Sequence, residues 1–257
     1  MSNKIYHVPA LERALDVIDL IASHENDLSF SKILNSLNIP RPSLVRILKI
    51  LTDRGLITKT EDRGLYRLGM KLIYLGNILE SKLKLKSVAL PFMHELALKT
   101  GKTIELSTLD RDQLILIDQI EGNEGVRLFS RIGSAYPYFH ALAAGKIYLA
   151  HMGKEKRKDV LQKIGLPIVT KYTITDMDQL EAELSTVVRN GYAFENQELR
   201  EGVRRVVAPI YDCHGGLAGC IGIASPILSF LLENRKYLGK AVKEVANKIS
   251  SEMGAAE

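Results

Sequence analysis

The sequence predicts an α+β protein in two unequal parts joined by a helix. Three observations carry that reading. Three helical stretches and a short hairpin fill the first seventy or so residues; a single apolar-periodic stretch follows; and the remainder mixes strand-like runs with helices. At 257 residues the chain is long enough for about two domains.

The elements follow in order. Leu11 to Ile21 reads LERALDVIDLI, with apolar residues at Leu11, Leu15, Ile18 and Ile21 or Ala22, a helical spacing. A polar loop leads to SFSKILNSLN, a shorter helix that Ser29 caps, with Lys32 where a capping box would place an acid. Asn38-Ile39-Pro40 breaks it. A third helix opens on Arg41-Pro42, since proline loses nothing in the first turn. Leu44, Ile47, Leu48 and Leu51 form its inward stripe, and Gly55 ends it. Leu56 to Thr60 and Leu65 to Leu68 then read as strands around the turn EDRG. Three helices and a hairpin make the winged helix-turn-helix plan, over residues 1–69. Leu72, Leu75, Leu79 and Leu83 give a linker helix over 70–86, suited to pairing with a second copy.

Residues 87–257 predict one α+β domain. A helix covers Val88 to Lys99. TIELSTLD and QLILIDQIE form a hairpin, and GVRLFSR a shorter strand. HALAAGKIYLAHM and DQLEAELSTVVRN are helices, the second stopped by Gly191. GYAFEN, VRRVVAPIYD and GLAGCIGIAS are strands, the last two joined by the turn CHGG. A final helix runs from about Glu233 to Ser251.

Composition is ordinary, at 46% hydrophobic and 25% charged, with a net charge of +5. No signal sequence or membrane-spanning run is visible, which predicts a cytoplasmic protein with no membrane partner. The two cysteines, Cys213 and Cys220, build neither a disulfide framework nor a four-ligand cluster.

Charge is concentrated. Between Lys32 and Lys71 stand nine basic residues against Asp53, Glu61 and Asp62, a local +6 that exceeds the net charge of the whole chain. Cations at the front of a helix oppose its dipole, by a few tenths of a kcal/mol up to roughly 1. Arg41 and Arg46 therefore answer to something other than helix stability, and a DNA duplex rewards them, because a recognition helix enters the major groove by its N-terminal end. Ser43 offers a hydroxyl and Val45 a surface for a thymine methyl. Lys49 adds charge on the same helix. Ser29 and Ser31 sit where the preceding helix would cross the backbone, and Arg63 at the hairpin tip would reach phosphate or the minor groove. Against this stands the ordinary alternative of a solvated, charged helix face.

The chain resembles the IclR-type transcriptional regulators over nearly its full length. ERALDVIDLIA resembles the family's first helix, LSFSKILNSLNIPRPSLVRILKILTDRGLI its helix-turn-helix, and YRLG the end of its wing. RIGSAYPYFHALAAGKIYLA, GYAFENQELREGVRRVVAPIYD and the following glycine-rich strand continue the match. The resemblance implies a winged helix-turn-helix, a linker helix and a GAF/PAS-like effector-binding domain. It implies a homodimer, often a tetramer, on a pseudo-palindromic double-stranded DNA operator under control of a small metabolite. Repressors and activators both occur; repression is the expectation here. By motif the recognition helix falls on Arg41 through Leu51. Pro42 departs from a common Lys-Ser-Thr, and Arg46 matches the usual central arginine.

The resemblance also places an effector pocket between the loop at Gly133 to His140, the start of the helix at Ala141, and the late strands. It puts Gly133, Ala135, Tyr136, Tyr138, Phe139, Ala141, Leu142, Glu195, Val203, Arg205, Gly222 and Ala224 around the ligand. This chain departs from the family at several of these. Leu142 stands where relatives carry Thr or Ser, Arg205 where they carry Cys, and Gly222-Ile223-Ala224 where they show Ser-x-Ser. From the rigid fork of Arg205 the expectation is an organic acid, sugar-derived, aromatic or acyl, with Gly222 and Ala224 making room. The alternative is an internal pair between Arg205 and Glu195, Glu198 or Glu201.

An enzyme acting on such an acid is the competing class. Glu195, Gln197, Glu198 and Glu201 invite an acid–base reading, but shaping the pocket mouth is the simpler one. No phosphate-binding glycine loop, nucleophile elbow or zinc signature accompanies them, so no catalytic residue, cofactor or metal is expected. His140 is expected to cap or hydrogen-bond at its loop-to-helix junction. His151, Cys213 and His214 do not make a metal set, because neighbours on a strand point to opposite faces.

Overall fold

The computed structural model describes residues 7–82, 84–123, 125, 128 and 130–255, with backbone alone at 77 and 80–82. It divides into two compact units, Met1–Lys82 and Leu83–Glu257.

The first unit packs α1 (Pro9–Ser23), α2 (Phe30–Ser36) and α3 (Arg41–Asp53) around one apolar cluster, and ends in α4 (Lys71–Lys82). Ser29 caps α2 as its sequence predicts, accepting from the Lys32 amide at 3.2 Å. Pro42 sits in the first turn of α3, where no helical N–H is missed. The end of α3 is a Schellman turn. Gly55 takes φ +71°, its N–H reaches Thr52 O, and the Leu56 N–H reaches Leu51 O, both at 2.9 Å. Strands β1 (Ile57–Lys59) and β2 (Tyr66–Leu68) pair antiparallel around the expected turn, and Leu28 adds a bridge to Tyr66.

The helix that this spacing predicts forms, but the spacing does not name its buried side. The inward stripe of α1 is Val17 and Ile21 with Ala14 and Ile18 beside them, whereas Leu11 and Leu15 are 57% and 53% exposed. Two apolar stripes compete on this helix, and periodicity alone does not say which faces the core.

The second unit is a six-stranded antiparallel sheet flanked by helices. Its strands are β3 (Thr103–Asp110), β4 (Gln113–Ile120), β5 (Ala135–Tyr136), β6 (Ala193–Asn196), β7 (Val203–Tyr211) and β8 (Leu217–Pro226), in spatial order β5-β4-β3-β8-β7-β6. Side chains alternate across it. Ile104, Leu106, Val206, Ala208, Ile221 and Ile223 face α5 (Lys84–Thr100) and α9 (Arg235–Glu252). The opposite face meets α6 (Ala143–His151), α7 (Lys154–Ile164) and α8 (Met177–Asn190) through Leu114, Val207 and Cys220. Asp176 caps α8 and Gly191, at φ +72°, closes it as expected. Of the short strand expected over 125–131, residues 126, 127 and 129 lie outside the described residues, and the other four are not in a strand. No helix among the described residues is long and apolar enough to cross a membrane.

Candidate functional site

Two surfaces collect the residues singled out in the sequence. On α3, the buried stripe of Leu44, Ile47, Leu48 and Leu51 turns Arg41, Pro42, Val45, Arg46 and Lys49 outward, with Val45 51% exposed. Ser43 is half-buried and lines a cleft with Arg46, Arg13 and Leu11. The Arg41 guanidinium lies 5.5 Å from the centre of the Phe30 ring, which ties the front of α3 to α2. Lys49 pairs with Asp53 at 3.3 Å one turn on, and Arg63 at the hairpin tip lies 3.7 Å from Asp62. Both pairs are exposed, so each cation is free to exchange its partner for phosphate. Ser31 is exposed, while the Ser29 hydroxyl oxygen is engaged in its cap.

The second surface is a cavity in the sheet unit, on the face that carries α6 and α8. It is small, with a volume of about 40 Å³, and it opens to solvent at its mouth. Leu114, Leu116, Leu142, Leu199 and Val207 make its apolar wall, and Glu105, Ser107, Tyr136 and Arg205 its polar one. Of the residues expected around a ligand, Tyr136, Leu142, Arg205 and Gly222 line it. Gly133, Ala135, Tyr138, Phe139, Ala141, Glu195, Val203 and Ala224 do not. Phe139 and Ala141 are spent on the core beneath α6, and Ala224 is covered by Leu128 and Val203. Gly133 adopts φ +86° in the turn before β5 and Ala135 pairs with Ile115. Tyr138 is 40% exposed.

Register explains the chemistry of the polar wall. Glu195 on β6 stands opposite Arg205 on β7, which stands opposite Ala224 on β8; Glu105 on β3 stands opposite Gly222. All share one face of the sheet. Because β8 presents only a methyl and a hydrogen there, the Arg205 side chain crosses it. Its Nε donates to Glu105 Oε2 at 3.1 Å, and its Nη1 donates to both oxygens of Glu195 at 3.3 Å. The carboxylate expected from a ligand is thus supplied twice by the chain. The internal pair anticipated with Glu195 forms, and Glu105, absent from the sequence reading, joins it. Gly222 does not free space for a ligand either: a Cβ there would lie 2.7 Å from Val207 Cγ2.

A second buried pair stands behind the first. Lys146, 1% exposed at its side chain, emerges from the middle of α6 and donates to Glu198 Oε1 at 2.7 Å and to Phe194 O at 3.2 Å, with Glu183 at 3.8 Å. Burial pushes the Glu198 carboxyl up to about 7, against the pull of Lys146, and burial also raises Glu195 against the pull of Arg205. Gln197 between them holds φ +66°, and its side chain accepts from the Gly202 N–H at 3.0 Å. His140 is fully buried and donates to Pro167 O at 3.0 Å, a hydrogen-bonding histidine whose pKa burial lowers. His151 bonds Tyr211 at 2.7 Å. Among the described residues no group of three acids, histidines or cysteines is placed to hold a metal.

Comparison with known proteins places both units. Residues 10–61 match the family described as "IclR helix-turn-helix domain", and residues 79–251 match "Bacterial transcriptional regulator IclR C-terminal". The repressor AllR of Klebsiella pneumoniae is 28% identical over 245 residues, covering 95% of this chain and 90% of its own. The crystal structure of Thermotoga maritima IclR superposes with a TM-score of 0.80 at 27% identity, covering 96% of this chain and all of that one. An IclR homologue from Microbacterium hydrocarbonoxydans, solved with 4-hydroxybenzoate, superposes at 0.83 with 25% identity, over 96% of this chain and all of that one.

Proposed function

Since this chain belongs to the IclR family of bacterial transcriptional regulators, we propose that it is an effector-controlled repressor rather than an enzyme. Residues 1–69 read DNA, 70–86 link, and 87–257 sense a small molecule. The observation that carries this reading is the exposed face of α3, with Arg41, Val45 and Arg46 outward on a helix whose other side is fixed in a core. Such a face suits the major groove, with Arg63 at the hairpin tip for the backbone.

The effector occupies the cavity under α6, in keeping with a ligand-bound relative. Repression agrees with the naming of AllR. A homodimer follows from the apolar surface of α4, where Ile73, Tyr74 and Leu79 are 55%, 63% and 62% exposed, and it matches a two-fold operator. The organic acid expected from Arg205 loses its main support, because that guanidinium is already paired.

Selection of bound fragments from the source genome tests the reading. Enrichment of a two-fold sequence, with log affinity falling linearly in log salt, supports it. Absence of any preferred duplex at low salt overturns it.

A further inference from the structure

The polar wall of the cavity carries a charge count that restricts what enters. Arg205 and Lys146 are the two cations of the buried network, and Glu105, Glu195, Glu198 and Glu183 are its acids. Even if the two most deeply buried acids, Glu195 and Glu198, hold protons, the remaining two acids match the two cations. Among the described residues of this network, no positive charge is left over for a ligand. A carboxylate entering here would leave water and meet the Glu105 carboxylate beside a guanidinium that is already balanced, and burying a charge without a counter-charge is costly.

The hydrogen-bond inventory points the other way. Arg205 spends Nε and Nη1 on its two acids, and among the described residues its Nη2 makes no hydrogen bond. Glu105 is 15% exposed at its side chain, and its Oε1 takes a single bond, from the Ser130 hydroxyl at 3.3 Å. A carboxylate oxygen accepts more than one. The wall therefore presents a donor and an acceptor side by side, with the Ser107 hydroxyl on the same strand face as Glu105 and leucines opposite.

We propose that this cavity takes an uncharged small molecule bearing a hydrogen-bond donor next to an acceptor, a primary amide or a vicinal diol on a compact apolar body, and rejects the corresponding simple carboxylate. The donor goes to Glu105 and the acceptor to Arg205. This rests on the cavity being the effector site proposed above.

The test uses the full-length chain and matched probes at pH 7.5: benzamide against benzoate, propionamide against propionate, and 1,2-propanediol against lactate. Binding is read by calorimetry and by release of the selected operator. The expected result is that at least one uncharged member binds ten times or more tightly than its acid. In Glu105→Gln, folded as judged by its melting transition, the gap should narrow at least tenfold, because one acid has been removed from beside Arg205. An acid that binds as tightly as its uncharged partner overturns the proposal. So does a gap that E105Q leaves unchanged, or no uncharged probe binding to a chain that still holds its operator. Acids that bind and release the operator leave the regulator reading standing and sink only this one, whereas failure to hold any operator sinks the regulator reading itself.

Discussion

The guanidinium of Arg205 reaches across a neighbouring strand to Glu105, two strands away, at 3.1 Å. That reach depends on the small residues of β8 beneath it, and it makes the pair a tie across the sheet. Removing the cation by Arg205→Ala strands Glu195, which is fully buried, without a counter-charge. The expected loss is about 3–5 kcal/mol in urea unfolding. Adding Glu195→Gln to that variant should recover part of the loss, since the stranded charge goes with it.

Glu198 makes stability depend on pH. Its carboxyl is pushed up to about 7 in the folded chain, from an ordinary 4.5, chiefly by burial and despite Lys146. The folded state therefore keeps a proton that the unfolded state has released between those values. The contribution is fully present below about 4.5 and is lost as pH rises through about 7. The unfolding free energy from urea titrations should fall across that window, by no more than about 1.4 kcal/mol per pH unit for one group. Glu198→Gln should flatten the fall. An unchanged slope in that variant would assign the titration elsewhere.

On α3, Arg46 and Lys49 are both exposed but stand differently, since Lys49 shares its charge with Asp53. Arg46→Ala should weaken binding to the selected operator roughly ten- to a hundredfold and relax preference at one base pair. Lys49→Ala should lower affinity for all duplexes alike and reduce the salt slope. Fluorescence anisotropy on operator variants separates the two.

Gly145 lies against the backbone of the preceding turn, where an added Cβ would meet Phe139 O at 2.2 Å and Phe139 Cα at 2.5 Å. Backbone cannot swing aside as a side-chain tip can. Gly145→Ala should therefore cost at least the roughly 1–3 kcal/mol typical of overpacking, read as a lowered melting midpoint.

The helices and hairpins with strong periodicity were legible in the chain, α3 and α8 with the glycines that end them above all. α7 was not. KEKRKDVLQKI buries only Leu161, so it leaves no apolar stripe to read. β5 has two residues, too few for any pattern. The family resemblance put Tyr136, Leu142 and Arg205 around a pocket, and all three line this cavity. The partnership of Arg205 with Glu105 did not, because the two are 100 residues apart and meet only through the order of strands β3, β8 and β7. Nor does a glycine in a strand announce whether its space is open or filled, and at Gly222 it is filled by Val207.

Gly69 is pressed onto Gly55, with a Cβ at 69 falling 2.1 Å from Gly55 O, and the Lys71 N–H reaches that same oxygen at 3.3 Å. The first residue of α4 is thus fastened to the residue that terminates α3. A twist applied along α4 is passed through this contact to α3, whose outward side chains are the ones proposed to face DNA. The joint works as a rigid crank, and lengthening the chain by one residue between Leu68 and Lys71 would uncouple handle from shaft while leaving each intact.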